Sequence, residues 1–234
     1  ERNDVTRMPK VYFDGDLELL KSADNHLEYA ITFDAIRVGK TRGMEKGTDR
    51  ALLSKWKKLR GMQYRAKVTR QGQLLEAKLR LPKAPSPAIK TPLQSFQQTL
   101  RKIHVPLPSE AVGVGARWQT KSIVSHSGVV MEQSQTWTLK QIGNVIVVSG
   151  ESQESANPKS VDLGTLPDDM TAEVTQVGGR STDSIRFSTS HVLPISWTQS
   201  LQHDLKLKGR IGDQSFTTRT SVRSEVRLKR NPDK

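Results

Sequence analysis

Apolar and polar residues alternate with period two along most of this chain, and glycine turns break the alternation, a pattern that predicts antiparallel hairpins. In "HLEYAITFDAIRVG" Leu27, Tyr29, Ile31 and Phe33 share one face. "MQYRAKVTRQGQLLEAKLRL" reads as a hairpin around Gln71-Gly72. Met62, Tyr64, Ala66 and Val68 share one side of its first arm, and Leu75, Ala77, Leu79 and Leu81 alternate with Glu76, Lys78 and Arg80 in the second. Further turns are predicted at His126-Ser127-Gly128, Gly143-Asn144, Gly178-Gly179 and Gly209 to Asp213, joining antiparallel neighbours. Residues 116–229 thus read as a long meander, with Asn157–Met170 as its extended loop.

One segment has a helical period. In "TPLQSFQQTLRKIHVP" the residues Leu93, Phe96, Leu100 and Ile103 recur at spacings of three and four, one stripe of a helix over residues 91–104. Thr91 suits the N-cap, Pro92 the first helical position and Gln94 the capping box. Arg101, Lys102 and His104 place positive charge at the C-terminal end, and Pro106 stops the helix. "DRALLSKWKKLRG" fits a short amphipathic helix after Asp49 or an extended lead into the next strand. Residues 1–25 read as an N-terminal arm, 26–81 as the first strands, and "PKAPSPAIKTP" as a stiff crossover, all within one domain of 1–234.

Composition narrows the chemistry. The apolar share of 34% suits strands with one wet face. Without cysteine there are no disulfides, zinc thiolates or thiol catalysis. No apolar run approaches the roughly 20 residues that cross a bilayer as a helix. The chain begins at Glu1, as expected of one processed after export or cut from a longer protein. The formal charge of +13, from 37 Lys and Arg against 24 Asp and Glu, favours anionic partners.

The motifs give little catalysis. Gly113-Val114-Gly115 has prolines before it and a strand-like "ARWQTKSIVS" after it, the reverse of a phosphate loop that opens a helix. None of His26, His104, His126, His191 and His203 pairs with another at a metal-binding spacing, and no metal or cofactor is implied. Ser125-His126-Ser127 and Ser190-His191 lack a nucleophile elbow. Asp168-Asp169 lacks the alternating ligands of a calcium loop. A hydrolase would need residues that converge only in the fold.

Trp118, Trp137 and Trp197 each fall in a strand, where core packing is the plain reading and a stacking surface the sharper one. The basic residues are patterned. In the last strand Arg219, Arg223, Arg227 and Lys229 share a face opposite Val222, Val226 and Leu228. Lys206, Lys208 and Arg210 lie opposite Leu205 and Leu207, and Arg65, Lys67, Lys78 and Arg80 repeat the pattern early in the chain. If these strands lie together, one sheet face is a cationic field that suits a polyanion or an anionic membrane surface. Its bland alternative is a solvated face that resists edge pairing, and Glu76, Asp204 and Glu225 interrupt it.

The run "LQSFQQTLRKIHVPLPSEAVGVGARWQ", then "TWTLKQIGNVIVVSG" and "FSTSHVLPISWTQSLQHDLKL", resembles an uncharacterised family of exported bacterial proteins common in planctomycetes and cyanobacteria. The resemblance covers roughly residues 71 to 228 and brings no reaction or catalytic residues with it. It implies a half-barrel like that of periplasmic lipoprotein carriers, a fold analogy only. The expectation is therefore a mainly β fold, a curved antiparallel meander or half-barrel with one amphipathic helix on its concave face. Function is expected to be non-enzymatic and exported, in the periplasm or envelope, with lipid anchoring through a residue outside this chain as one form of attachment. Leu93, Phe96, Leu100, Ile103, Trp118, Trp137 and Trp197 are the candidates to face an apolar or lipid-like ligand, and Lys206, Lys208, Arg210, Arg219, Arg223, Arg227 and Lys229 the candidates to bind anions.

Overall fold

The computed structural model describes residues 7, 9–39, 41, 47–126, 129–157, 170–191 and 193–230. It is mainly β, as the alternation predicts. The strands form two antiparallel sheets, the second of them the meander expected over 116–229, within two compact units, Glu1–Gln97 and Gln98–Lys234.

The first unit holds a four-stranded sheet in sequence order: β1 (Lys10–Ser22), β2 (His26–Gly39), β3 (Met62–Thr69) and β4 (Leu74–Arg80). β1 occupies most of the stretch read as an arm. Its "DGDLELLKS" is mostly polar and exposed, so hydrophobic pattern gives it no signal. β2 and β3 bury all but one of the residues the alternation chose, Tyr29, Ile31, Phe33, Met62, Tyr64, Ala66 and Val68, and Leu27 is half-buried. A bulge at Lys67/Val68 leaves Leu75 exposed in β4. Gly72, at φ 80°, turns the β3–β4 hairpin.

"DRALLSKW" is helical, the first of the two alternatives: α1 (Thr48–Trp56) ends in a 3-10 turn, Lys57–Leu59. α2 (Pro87–Arg101) begins one turn before the Thr91/Pro92 start signal and carries Pro92 inside it. The missing amide of Pro92 removes one early helical bond. Phe96 stacks on Phe13 of β1 at 4.0 Å between ring centroids and meets Phe33 and Trp56 edge-on.

The second unit is a six-stranded meander of β5 (Arg117–His126), β6 (Val129–Gln141), β7 (Ile146–Ser155), β8 (Met170–Phe187), β9 (Ser196–Ile211) and β10 (Gln214–Lys229). Gly113-Val114-Gly115 leads into it as a turn. Ala116 N donates to Gly113 O, and Gly115 N donates to Leu139 O beside the end of β6. Gly143-Asn144 joins β6 to β7, and Gly212-Asp213 joins β9 to β10. Gly178-Gly179 is not a turn: both glycines lie inside β8. A Cβ on Gly178 would stand 2.9 Å from Glu154 O, and one on Gly179 2.5 Å from the His203 ring, so these glycines serve close approach across strands. Ser127-Gly128, most of the 157–170 loop and Asp168-Asp169 lie outside the described residues.

Candidate functional site

The two faces of the six-stranded sheet differ sharply in chemistry. Pairing sets side chains in rows across it, and on the inner face two rows centre on buried carboxylates. One runs Ser122, Gln133, Glu154, Gly179, His203, and the other Trp118, Trp137, Gly150, Asp183, Gln199. Between them runs Thr120, Gln135, Ser152, Ser181, Leu201.

Asp183 is 5% exposed and accepts four hydrogen bonds. Trp197 Nε1 (2.8 Å) and Gln199 Nε2 (3.0 Å) donate to one oxygen, and Gln135 Nε2 (2.9 Å) and Ser181 Oγ (3.2 Å) to the other. Burial raises the carboxyl above its ordinary range even against these donors and the nearby Lys102 charge. Ser181 and Ser152 share a 2.7 Å hydrogen bond. Gln133 Nε2 donates to Ser152 at 3.3 Å and to Glu154 Oε1 at 2.7 Å. Lys102 Nζ lies 3.1 Å from the same oxygen, and His203 Nδ1 lies 3.4 Å from Glu154 Oε2. A continuous polar chain thus links Lys102 to Asp183.

Glycine makes room beside each carboxylate. A Cβ on Gly150 would stand 2.7 Å from the Trp137 ring and 2.8 Å from Gln135 Nε2, and Gly179 leaves the space that the His203 ring takes next to Glu154. Ser152 and Ser181 spend their hydroxyls on each other, Gln133 and Asp183, an arrangement that ties together three strands, β6, β7 and β8. His191 Nδ1 meets Ser190 Oγ at 3.0 Å on the surface, and the His126 side chain lies outside the described residues. Among the described residues no three His, Asp or Glu cluster as metal ligands.

The ligand-facing candidates are engaged within the protein. Leu93, Leu100, Ile103, Trp137 and Trp197 are buried, Phe96 belongs to the aromatic cluster, and Trp118 Nε1 donates to Pro106 O at 2.7 Å. Trp137 Nε1 donates to Thr120 Oγ1 at 3.1 Å.

On the outer face the register aligns the anion-binding candidates. Arg219 is paired with Lys206, and Arg223 with Gln202, which in turn pairs with Arg180. Arg227 pairs with Thr198, and Lys229 with Ser196, which pairs with Arg186. Lys208 and Arg210 continue the same face. Arg65, Lys67, Lys78 and Arg80 stand on the four-stranded sheet, a different sheet from that of β9 and β10. Asp204 draws Arg219 to 3.4 Å, and Glu225 draws Arg227 to 2.6 Å. A hydrogen bond from Ser221 holds the Asp204 carboxyl below its usual range, with Gln202 and Arg219 adding to the effect. Among the described residues Lys206, Lys208, Arg210, Arg223 and Lys229 have no carboxylate within ion-pair distance.

Sequence reading found the cations and missed the buried network. The missing signal was parity: "MEQSQTWTL", "VSGESQES" and "RSTDSIRF" put Gln133, Gln135, Ser152, Glu154, Ser181 and Asp183 at inward positions where apolar residues are expected. No helix among the described residues is long and apolar enough to cross a membrane. No curated protein and no solved structure matches the chain. Residues 93–193, from α2 to the loop before β9, match a family of unknown function, DUF6263, in keeping with the resemblance to an uncharacterised family.

Proposed function

We propose that this is a non-catalytic, exported binding protein whose six-stranded sheet docks its basic outer face on anionic polymers. The alignment of β9 and β10 carries this reading: Lys206, Lys208, Arg210, Arg219, Arg223, Arg227 and Lys229 lie on one face, and among the described residues only Arg219 and Arg227 of these have a carboxylate within ion-pair distance. A row of unneutralised cations at strand spacing matches the repeating charge of a polyanion, which gains affinity by releasing counterions. The formal charge of +13 adds long-range attraction. Export to the envelope is supported by the resemblance set out above, and the half-barrel of periplasmic carriers enters as fold analogy alone.

The test is retention on heparin and on nucleic acid across a salt series. Binding is expected to fall steeply with salt, and a Lys208→Gln/Arg210→Gln/Arg223→Gln variant to lower the logarithmic salt slope by about one for each cation removed. Retention that ignores salt, or is absent at low salt, rejects the reading. Binding to anionic vesicles without binding to soluble polymers transfers it to membranes.

A further inference from the structure

We propose that the groove where β8, β9 and β10 end together on this face is a binding site for a phosphate monoester group. Such a site rests on the anion-binding reading of the sheet and names the chemistry of its most specific point. The groove, about 630 Å³, is lined by Arg186, His191, Ile195, Ser196, Thr198, Arg227, Leu228, Lys229 and Arg230.

The strand register builds it. Ser196 of β9 is the direct cross-strand neighbour of Arg186 on one side and Lys229 on the other. Two residues along, Thr198 pairs with Arg227 and with Ser184. Adjacent strands are about 4.8 Å apart, so a central column of two hydroxyls is flanked at that spacing by cations on long side chains. These side chains can converge on an anion seated over Ser196. The backbone beneath is fixed where the strands finish: Ile195 N donates to Arg186 O at 2.7 Å, and Arg230 N donates to Ile195 O at 2.9 Å.

Charge and donor count select the ligand. Arg227 is shared with Glu225, whereas among the described residues Arg186, Lys229 and Arg230 pair with no carboxylate. Guanidiniums, an ammonium and two hydroxyls offer more donors than the two oxygens of a carboxylate accept, and they suit the three terminal oxygens of a dianionic phosphate. Ile195, next to Ser196 in the groove lining, adds an apolar contact for the organic part of the ester. Farther along the face, Lys208 pairs with Thr217 across β9 and β10, but its neighbour on the other side is the carboxylate of Glu173.

The experiment titrates the full chain by calorimetry with inorganic phosphate, with glucose 6-phosphate, and with phosphatidylcholine vesicles with or without phosphatidic acid. Arg186→Gln is expected to weaken binding at least about tenfold and Ser196→Ala about threefold, as loss of charge-assisted and neutral donors predicts. Lys121→Gln, exposed on β5 at the far edge of the same sheet, is expected to stay within about twofold because solvent and salt screen its charge. Binding to the soluble probes assigns a free phosphate ester, and binding to phosphatidic acid vesicles alone assigns a lipid head; either supports the site if Arg186→Gln removes it. Equal losses in Arg186→Gln and Lys121→Gln overturn it in favour of a diffuse field. Failure of every phosphate probe, with heparin retention intact, overturns the groove and spares the broader reading; loss of heparin retention as well rejects both.

Discussion

From the turn after α2, Lys102 places its ammonium 3.1 Å from Glu154, a carboxylate with no exposed side-chain surface. Taken out of water, that charge is tolerable only while paired. Lys102→Ala is therefore expected to cost about 3–5 kcal/mol, the usual penalty for an uncompensated buried charge. Lys102→Met/Glu154→Gln, which removes both charges, should cost clearly less. Urea unfolding of both variants checks this, and a double variant as unstable as the single one would refute it.

His104 gives the protein an acid-sensitive element. Burial lowers its pKa from 6.5 to about 4, so the unfolded chain binds a proton that the folded chain refuses. Its contribution is complete above about pH 6.5 and is lost as pH falls toward 4, about 3 kcal/mol across that window. Asp183 acts with the opposite sign. Its raised pKa stabilises the fold at acid pH, and that gain disappears as pH rises through the folded value. Denaturation midpoints of the wild type and His104→Gln at pH 7 and pH 4.5 separate the two, with the smaller acid loss expected in His104→Gln.

Gly150 is paired with both Trp137 and Asp183, and its missing side chain is where the indole lies. Gly150→Ala is expected to destabilise by about 1–3 kcal/mol, the range for overpacking a filled core. It should also disturb the Gln135–Asp183 hydrogen bond. Near-ultraviolet circular dichroism at the tryptophan bands and the urea midpoint should change together. Gly143→Ala, where no atom lies within 4 Å of the added carbon, serves as the control.

In the first unit the Phe96–Phe13 stack at 4.0 Å is the centre of an aromatic cluster. Phe96→Ala is expected to cost about 2–4 kcal/mol, less than a fully enclosed phenylalanine because the residue is half-buried. The Trp56 fluorescence should report the loss, since that indole meets the Phe96 ring edge-on. Phe96→Leu, which keeps most of the volume, should recover more than half of it.

Much of the fold was legible because strand parity and helix period are set by the same burial that stabilises them. Leu27 to Phe33 and Met62 to Val68 alternate because one face meets the core. The basic face was legible for the same reason, since Arg219 to Lys229 are the solvent half of that pattern. One glycine reading went astray for want of tertiary information. Gly178-Gly179 carries the composition of a turn, and only the nearness of Glu154 and His203 shows that it accommodates neighbours. The buried network escaped because a polar residue at an inward position looks, in one sequence, like a break in the pattern. Asp183 is intelligible only beside Gln135, Trp197 and Gln199, drawn from two other strands. The groove at Ser196 needed the register itself, which joins Arg186 to Lys229 across more than 40 residues of chain.

Both sheets are built wholly from strands that pair with their neighbours in sequence. Each closure therefore spans a short length of chain, and the entropy lost before native contacts form stays small. The β9–β10 hairpin, 16 residues on each arm around Gly212-Asp213, needs only a short loop closed to bring its strands together. A β9–β10 hairpin formed ahead of its neighbours would carry the outer cations on a ribbon that repels its own copies.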